Sequence, residues 1–442
     1  MSSQYIIIIR IALFIELMSN IQSKISIAIP MQQHAFRTAE GLIKAGLLDK
    51  YYTTVYYKSN KIIYRFLKKI LGTSAIKSME NKRTDLIDPF VSTYGELWGL
   101  LFILTIRFPK LAFLRKRLTA IMFYRFAKAT FKDICKRSPQ IIWGFDSWSR
   151  SLFKQIKHAN IKEILVLDMA STATPTIKRI IDEEISKQED FSYTFERNKI
   201  TYSEDRVAEY IEEFQYADYF LSPSVWVSKS LIDAGIDERK IIMLPHGVDP
   251  KKFKPKSESY EIPEKLRFLF VGRVEGAKGI RYLFDAFKQL QHENIELIVV
   301  GNTFTWGDEV KKYSKNIIVK GMINSNNMPE IYNSADVFIL SSLWEGSALS
   351  MLEAMSAGMP VIASSHSCAP DIITDGKEGF VYDPYNIDSL KEHILWYIKN
   401  KDKIVSMGKA ARKTAEANSW DVYYDNCAKV YQEIIKREHQ NK

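Results

Sequence analysis

At 442 residues the chain exceeds the size at which one hydrophobic core keeps growing, which predicts two domains. With 46% hydrophobic and 26% charged residues, 19 Gly and 14 Pro, it is neither disordered nor fibrous, and three scattered cysteines exclude a disulfide framework or a paired-cysteine zinc or redox site. That cysteine usage fits a reducing, cytoplasmic compartment. The formal charge of +10 is uneven: residues 51–137 hold 18 Lys+Arg against 5 Asp+Glu, so this stretch predicts an anionic partner, whether lipid headgroup, phosphorylated glycan or nucleic acid.

In chain order, residues 1–23 read as an extension preceding the fold. Its apolar run Tyr5–Leu17 carries Arg10 and Glu16 and falls short of the roughly 20 residues a spanning helix needs. A first domain is expected over 24–245, opening with the strand KISIAIP at 24–30. His34 follows that strand, as an acceptor-side candidate or as a residue that starts the next helix. The basic insert 51–137 comes next. Lys58, Lys61, Arg65, Lys68 and Lys69 alternate there with Ile62, Ile63, Tyr64, Phe66 and Leu67, the mixture of a helix at an anionic headgroup surface. The apolar run Leu97–Ile106 leads into Arg107, Lys110, Arg115, Lys116 and Arg117, and fits a core helix or an interfacial one. Strands at 139–145, 163–169 and 218–224, with an amphipathic helix at 176–188, complete an alternating α/β pattern.

From Ile241 the segment IIMLPHGVDPKKFKP reads as a turn-rich linker. A second domain is expected over 246–419, with strands at 266–272, 295–301, 316–321, 336–342, 359–364 and 378–383 and short connections between strand and helix. Such buried apolar strands predict a doubly wound parallel sheet. An amphipathic helix over 420–442, apolar at Tyr423, Cys427, Val430, Tyr431 and Ile434, reads as packing back on the first domain.

Two segments carry chemistry. EGSALSMLE at 345–353 follows a strand and runs into a helix, so the N–H groups around Gly346, Ser347, Ala348 and Leu349 suit an anion. If the interval were all helix, Glu345 and Glu353 would stand about 12 Å apart and hold two ends of an elongated polyhydroxyl ligand. FVGRVEGAKG at 270–279 places Arg273 and Lys278 beside Gly272 at another strand end, where two cations suit a diphosphate. Neither the dinucleotide nor the Walker spacing is met. No cluster with metal-ligand spacing stands out, so no metal is expected.

VGRVEGAKGIRYLFDAF, DVFILSSLWEGSALSMLEAMSAGMPVIAS and DIITDGKEGFVYDP together resemble the family 4 retaining glycosyltransferases (glycosyltransferase group 1). The resemblance implies the GT-B fold, two facing Rossmann-like doubly wound domains with a cleft between them. It implies a nucleoside-diphosphate sugar as donor substrate, retention at the anomeric carbon, and neither cofactor nor metal. Arg273 and Lys278 would hold the diphosphate, Glu353 the ribose hydroxyls, and Glu345 with the amides of Gly346–Leu349 the donor sugar and phosphate. A glycan or lipid-linked acceptor in surface-glycan assembly, met at the inner face of the plasma membrane, accords with the basic insert. Nucleic acid is not expected.

The chain departs from the family's pattern at four places. Ser347 and Ala348 replace an aromatic residue and a glycine. WGFDSWS offers Asp146 where many relatives carry histidine, and Thr174 stands where a subgroup has one. His246 corresponds to a family asparagine and reads as a turn residue. His34 and Asp146 are left as the acceptor-side candidates. The rival readings are a nucleotide-sugar epimerase of the same fold and a non-catalytic membrane scaffold.

Overall fold

The structure, a computed structural model, describes residues 25–31, 34–58, 64, 83–187, 189–257, 260–303 and 313–440. The extension 1–23 and, of the five cations named on the basic stretch, all but Lys58 lie outside the described residues.

A seven-stranded sheet comprises β1 (Ile25–Ala28), β2 (Leu48–Thr53), β3 (Val91–Thr93), β4 (Ile141–Phe145), β5 (Ile164–Asp168), β6 (Tyr219–Ser222) and β7 (Ile241–Met243) in the order β3-β2-β1-β4-β5-β6-β7. A six-stranded sheet comprises β8 (Leu266–Val271), β9 (Ile295–Val300), β10 (Ile317–Gly321), β11 (Val337–Leu340), β12 (Val361–Ser364) and β13 (Gly379–Tyr382) in the order β10-β9-β8-β11-β12-β13. The helices of the first half are α1 (Ala35–Lys44), α2 (Glu96–Arg107), α3 (Arg115–Arg137), α4 (Arg150–His158), α5 (Thr174–Lys187), α6 (Glu196–Thr201), α7 (Glu204–Tyr216) and α8 (Val225–Asp233). Those of the second half are α9 (Ile280–Gln289), α10 (Met328–Asn333), α11 (Leu349–Ser356), α12 (Ala369–Ile372), α13 (Ile387–Lys399), α14 (Lys401–Ala417) and α15 (Trp420–Gln440). Two compact units result, one of residues 1–168, 212–220 and 424–442, the other of 169–211 and 221–423.

The six-stranded sheet carries helices on both faces, because successive strand side chains point to opposite sides. Phe268 and Phe270 of β8 enter a core with Leu283, Phe287, Ile394 and Tyr397 from α9 and α13. Leu269 between them enters another with Met351, Met355, Ala411 and Ala415 from α11 and α14. Strand order reverses between β8 and β11, which pair in parallel with Phe268 opposite Val337 and Leu269 opposite Phe338. Ligands of open α/β sheets bind beyond the carboxyl ends of strands at such a point. The linker is fixed within its own unit: Val248 N–H donates to Asn418 O at 3.0 Å, and Trp420 N–H returns to Val248 O at 3.0 Å. His246 is buried beside the Trp420 and Tyr423 rings.

Three strands were not legible in the sequence. β2, LDKYYT, carries Asp49 and Lys50 after its first residue and lacks the apolar run of its neighbours; β3 has three residues at the sheet edge; β7 opens the segment read as linker. The basic insert is therefore partly sheet, and β3 extends the sheet beyond β2, with Tyr51 opposite Val91. The run Leu97–Ile106 falls in α2, of which only Gly99, Leu100 and Thr105 are buried. Among the described residues no helix is long and apolar enough to cross a membrane.

In the first unit the β1–β4 pairing brings His34, after β1, and Asp146, after β4, to one sheet edge. The turn carrying Asp146 is held by Glu213, which accepts N–H bonds from Ser147 at 2.7 Å, Ser149 at 2.6 Å and Arg150 at 2.8 Å. Burial, with the charge of Asp146 beside it, pushes the Glu213 carboxyl up to about 8 against the pull of those three donors. A carboxyl whose folded pKa exceeds its unfolded value binds its proton more tightly when folded, so its stabilising contribution falls as pH rises from about 4.5 to about 8. Denaturant unfolding at pH 5 and pH 8.5 should show the wild type losing at least ~1 kcal/mol more than Glu213→Gln over that interval. Parallel losses in the two proteins would remove Glu213 from the pH response.

Candidate functional site

All nine residues that the sequence suggests for a donor site lie in the second unit, on the loops that follow β8 and β11 and on α11. After β8 the chain passes Gly272, whose N–H donates to Val300 O at 2.9 Å, and makes a short 3-10 turn over Gly276–Lys278. Gly279 ends that turn at φ 61°, and a Cβ there would stand 1.9 Å from Ser341 O. Only glycine permits both the left-handed backbone and so close an approach of the two loops. The approach is reinforced by Ser341 Oγ donating to Lys278 O at 2.8 Å and by Leu343 N–H donating to Ala277 O at 2.9 Å.

These contacts bring Lys278 Nζ against Glu345 Oε1 as an ion pair, with Ser342 Oγ donating to the same carboxylate oxygen at 2.8 Å. The two side chains are only 18% and 17% exposed, so the pair is screened far less than a surface bridge. Arg273 lies on the same loop, half exposed, with Nε donating to Glu275 Oε1 at 2.7 Å. Both expected cations therefore rest on carboxylates, with about half of the Arg273 side chain exposed.

Between Glu345 and α11 the backbone is not helical, which corrects the 12 Å interval estimated for continuous helix. Ala348 stands at φ 43°, ψ 56°, and the helix begins at Leu349 with no side-chain cap on its first N–H groups. Those donors, left unpaired in any helix start, together with the dipole suit an anion. Ser347 Oγ is buried and has no hydrogen-bond partner among the described residues. Glu353 Oε2 accepts the Tyr332 hydroxyl at 2.6 Å; burial pushes its carboxyl up, against that hydrogen bond and the charge of Lys252. Glu353 is thus held separately from the Lys278–Glu345 pair.

Sequence reasoning missed Ser341, Ser342 and Tyr332, and also a group packed on the turn from elsewhere in the unit. Thr172 Oγ1 donates to Glu345 O at 3.0 Å, and Trp226 Nε1 donates to Thr172 Oγ1 at 2.8 Å. His366 stacks on Trp226 with ring centroids 3.9 Å apart, and its Nδ1 lies 2.9 Å from Leu343 O. Since a carbonyl only accepts, Nδ1 carries the proton. Burial lowers the His366 pKa, which keeps the ring neutral at pH 7. The serines ending DVFILSS were visible as a pair, but Tyr332, Thr172, Trp226 and His366 carry no motif.

On the first unit's edge, His34 Nε2 lies 3.1 Å from Asp168 Oδ2, which also accepts Trp143 Nε1 at 3.0 Å. Asp146 N–H donates to Asp168 O at 3.0 Å. The two acceptor-side candidates are thus joined through Asp168, a residue the sequence did not single out.

Residues 252–414 match the family model described as Glycosyl transferases group 1. The chain is 30% identical over 218 residues to the sulfoquinovosyl transferase of Arabidopsis thaliana, covering 46% of this chain and 42% of that protein. It is 31% identical over 170 residues to an Escherichia coli UDP-Gal:alpha-D-GlcNAc-diphosphoundecaprenol alpha-1,3-galactosyltransferase, covering 35% and 44%. The chain thus spans about half the length of the curated relatives it matches. Among solved structures, sucrose-phosphate synthase from Thermosynechococcus elongatus aligns with a TM-score of 0.65 at 16% identity, covering 94% of this chain and all of that one. An Anabaena protein solved with UDP and glucose aligns at 0.56 and 16% identity, covering 93% and 99%. These likenesses identify the fold as GT-B. The matched residues 252–414, which carry Arg273, Lys278, Glu345 and Glu353, are similar to the glycosyl transferases of group 1.

Proposed function

We propose that the protein is a glycosyltransferase that moves a sugar from a nucleoside-diphosphate donor to an acceptor hydroxyl with retention of anomeric configuration. The observation that carries this reading is the constellation at the β8–β11 switch point: a shielded Lys278–Glu345 pair, Arg273 on the same loop and the uncapped start of α11. The Anabaena neighbour's complexes with UDP and with UDP-glucose support a nucleotide-sugar donor. In the reaction the bond from the anomeric carbon to the diphosphate oxygen breaks, the acceptor oxygen bonds that carbon from the same face, and the acceptor proton passes to the departing diphosphate. The chain's contribution is electrostatic: Arg273, Lys278 and the α11 N–H groups face the charge that develops on the leaving group. Glu345 fixes Lys278 and accepts from a sugar hydroxyl, and Glu353 accepts from the ribose. No side-chain nucleophile and no metal ion is needed in that scheme.

The acceptor belongs to a lipid-linked or surface glycan, met by peripheral docking on the inner leaflet. The Escherichia coli relative's diphosphoundecaprenol-linked substrate supports this, and so does a surface of the first unit. Leu97, Ile106, Phe108 and Phe113 stand 43–78% exposed, among exposed Arg107, Lys110, Arg115, Lys116 and Arg117. Apolar side chains enter the headgroup boundary while each cation adds about 1 kcal/mol on an anionic surface.

Glu345→Ala, Arg273→Ala and Lys278→Ala should each lower kcat at least tenfold, ~1.4 kcal/mol, while Lys409→Ala on the exposed face of α14 leaves it unchanged. Glu353→Ala should act chiefly on donor KM, and activity should survive EDTA. Steady-state kinetics check all of these; wild-type rates in the first three variants, or a strict Mg²⁺ requirement, would contradict the site.

For the surface, sedimentation with vesicles containing phosphatidylglycerol should retain the wild type at low salt and release it at high salt. Replacing Arg115, Lys116 and Arg117 with Gln should weaken retention by roughly tenfold or more. Equal retention on phosphatidylcholine vesicles would remove the anionic requirement.

A further inference from the structure

The Glu345 carboxylate is fixed by Lys278 and Ser342, but the peptide that follows it is held by something else. We propose that Thr172 and Trp226 are positioning residues for the Glu345–Gly346 peptide, an inference that rests on the donor-site reading above. The direction of the relay follows from chemistry: the indole N–H only donates, so Thr172 Oγ1 accepts from Trp226 and spends its single proton on Glu345 O. Because a trans peptide holds its C=O and N–H antiparallel within one plane, turning the Glu345 carbonyl toward Thr172 turns the Gly346 N–H away from it. That N–H is among those assigned to the donor.

Three further observations make this a built arrangement. Thr172 is 2% exposed, and its hydroxyl joins Trp226 Nε1 to Glu345 O. Gly346 fits closely over the same segment, for a Cβ on it would stand 2.3 Å from Ala170 O. Trp226 also stacks face to face on His366, which donates Nδ1–H to Leu343 O. One indole thus controls two carbonyls of the turn, at 343 through its face and at 345 through its edge. A side-chain donor aimed at a catalytic turn acts on geometry, and small misplacements there cost rate more than affinity.

The test uses the full chain and measures nucleotide release from UDP-glucose, UDP-galactose and GDP-mannose, the fastest of the three serving for the variants. Thr172→Val should lower kcat about tenfold and change donor KM by less than about threefold, and Thr172→Ser should return kcat to within about twofold of wild type. Trp226→Phe, which keeps the stacking ring and loses the N–H, should fall between them. Wild-type kcat in Thr172→Val, beside an inactive Glu345→Gln, would overturn the positioning role and leave the donor site standing. A loss in Thr172→Val that serine fails to restore, with the thermal midpoint falling in step, would also overturn it, as a merely structural effect. Full activity in Glu345→Gln, or no release by the wild type from any of the three, would overturn the donor-site reading and this proposal with it.

Discussion

The ion pair between Lys278 and Glu345 is the contact on which the geometry of the second unit's candidate site depends. It joins the loop after β8 to the loop after β11, and it forms because those strands are neighbours at the point where the sheet reverses its order. Every nearby feature serves the approach of these loops: the left-handed Gly279 under Ser341 O, the Ser341 bond to Lys278 O, and the Ser342 bond to the carboxylate. A pair so shielded would be costly if either member stood alone, since an uncompensated buried charge destabilises by several kcal/mol. Here Ser342 shares the carboxylate, and a ligand anion would share the ammonium.

Most of the second unit was legible because its strands are continuous apolar runs ending in glycine or serine, a pattern that buried parallel strands require. The residue types of the site were equally visible, as Arg273, Lys278, Glu345 and Glu353 stand in recognisable strand-end segments. Their pairing was not. That Lys278 meets Glu345, while Glu353 goes to Tyr332, follows from strand adjacency and from α10, which no local spacing encodes. The interval between the two glutamates is not the continuous helix that the estimate assumed, because the left-handed Ala348 cannot be read from an alanine. Thr172, Trp226 and His366 remained invisible for the same reason: their role exists only once distant segments have packed together.

The first unit was less legible, and the physical cause is its edge. β2 and β3 carry polar or half-exposed residues, so their strand character comes from pairing with neighbours more than from their own composition. The basic insert, conspicuous as charge, turned out to supply both sheet edge and an exposed apolar helix. It exposes Leu97, Ile106 and Phe113 as well as its cations, a combination that favours neither a dry core nor a freely solvated face. At the carboxyl ends of the central strands β1, β4 and β5, His34, Asp146 and Asp168 converge, with Glu213 clamping the turn of Asp146 through three backbone donors.

The central claim is that the loops after β8 and β11 form a nucleoside-diphosphate site in which charge on the chain meets charge on the ligand. Calorimetric titration of UDP and GDP into the wild type at two salt concentrations tests it most directly, with uridine and guanosine as uncharged partners. The account predicts saturable binding of one diphosphate, weakened by salt and lost for the matching nucleoside. Equal affinity for nucleoside and diphosphate, or no binding of either diphosphate, would contradict it.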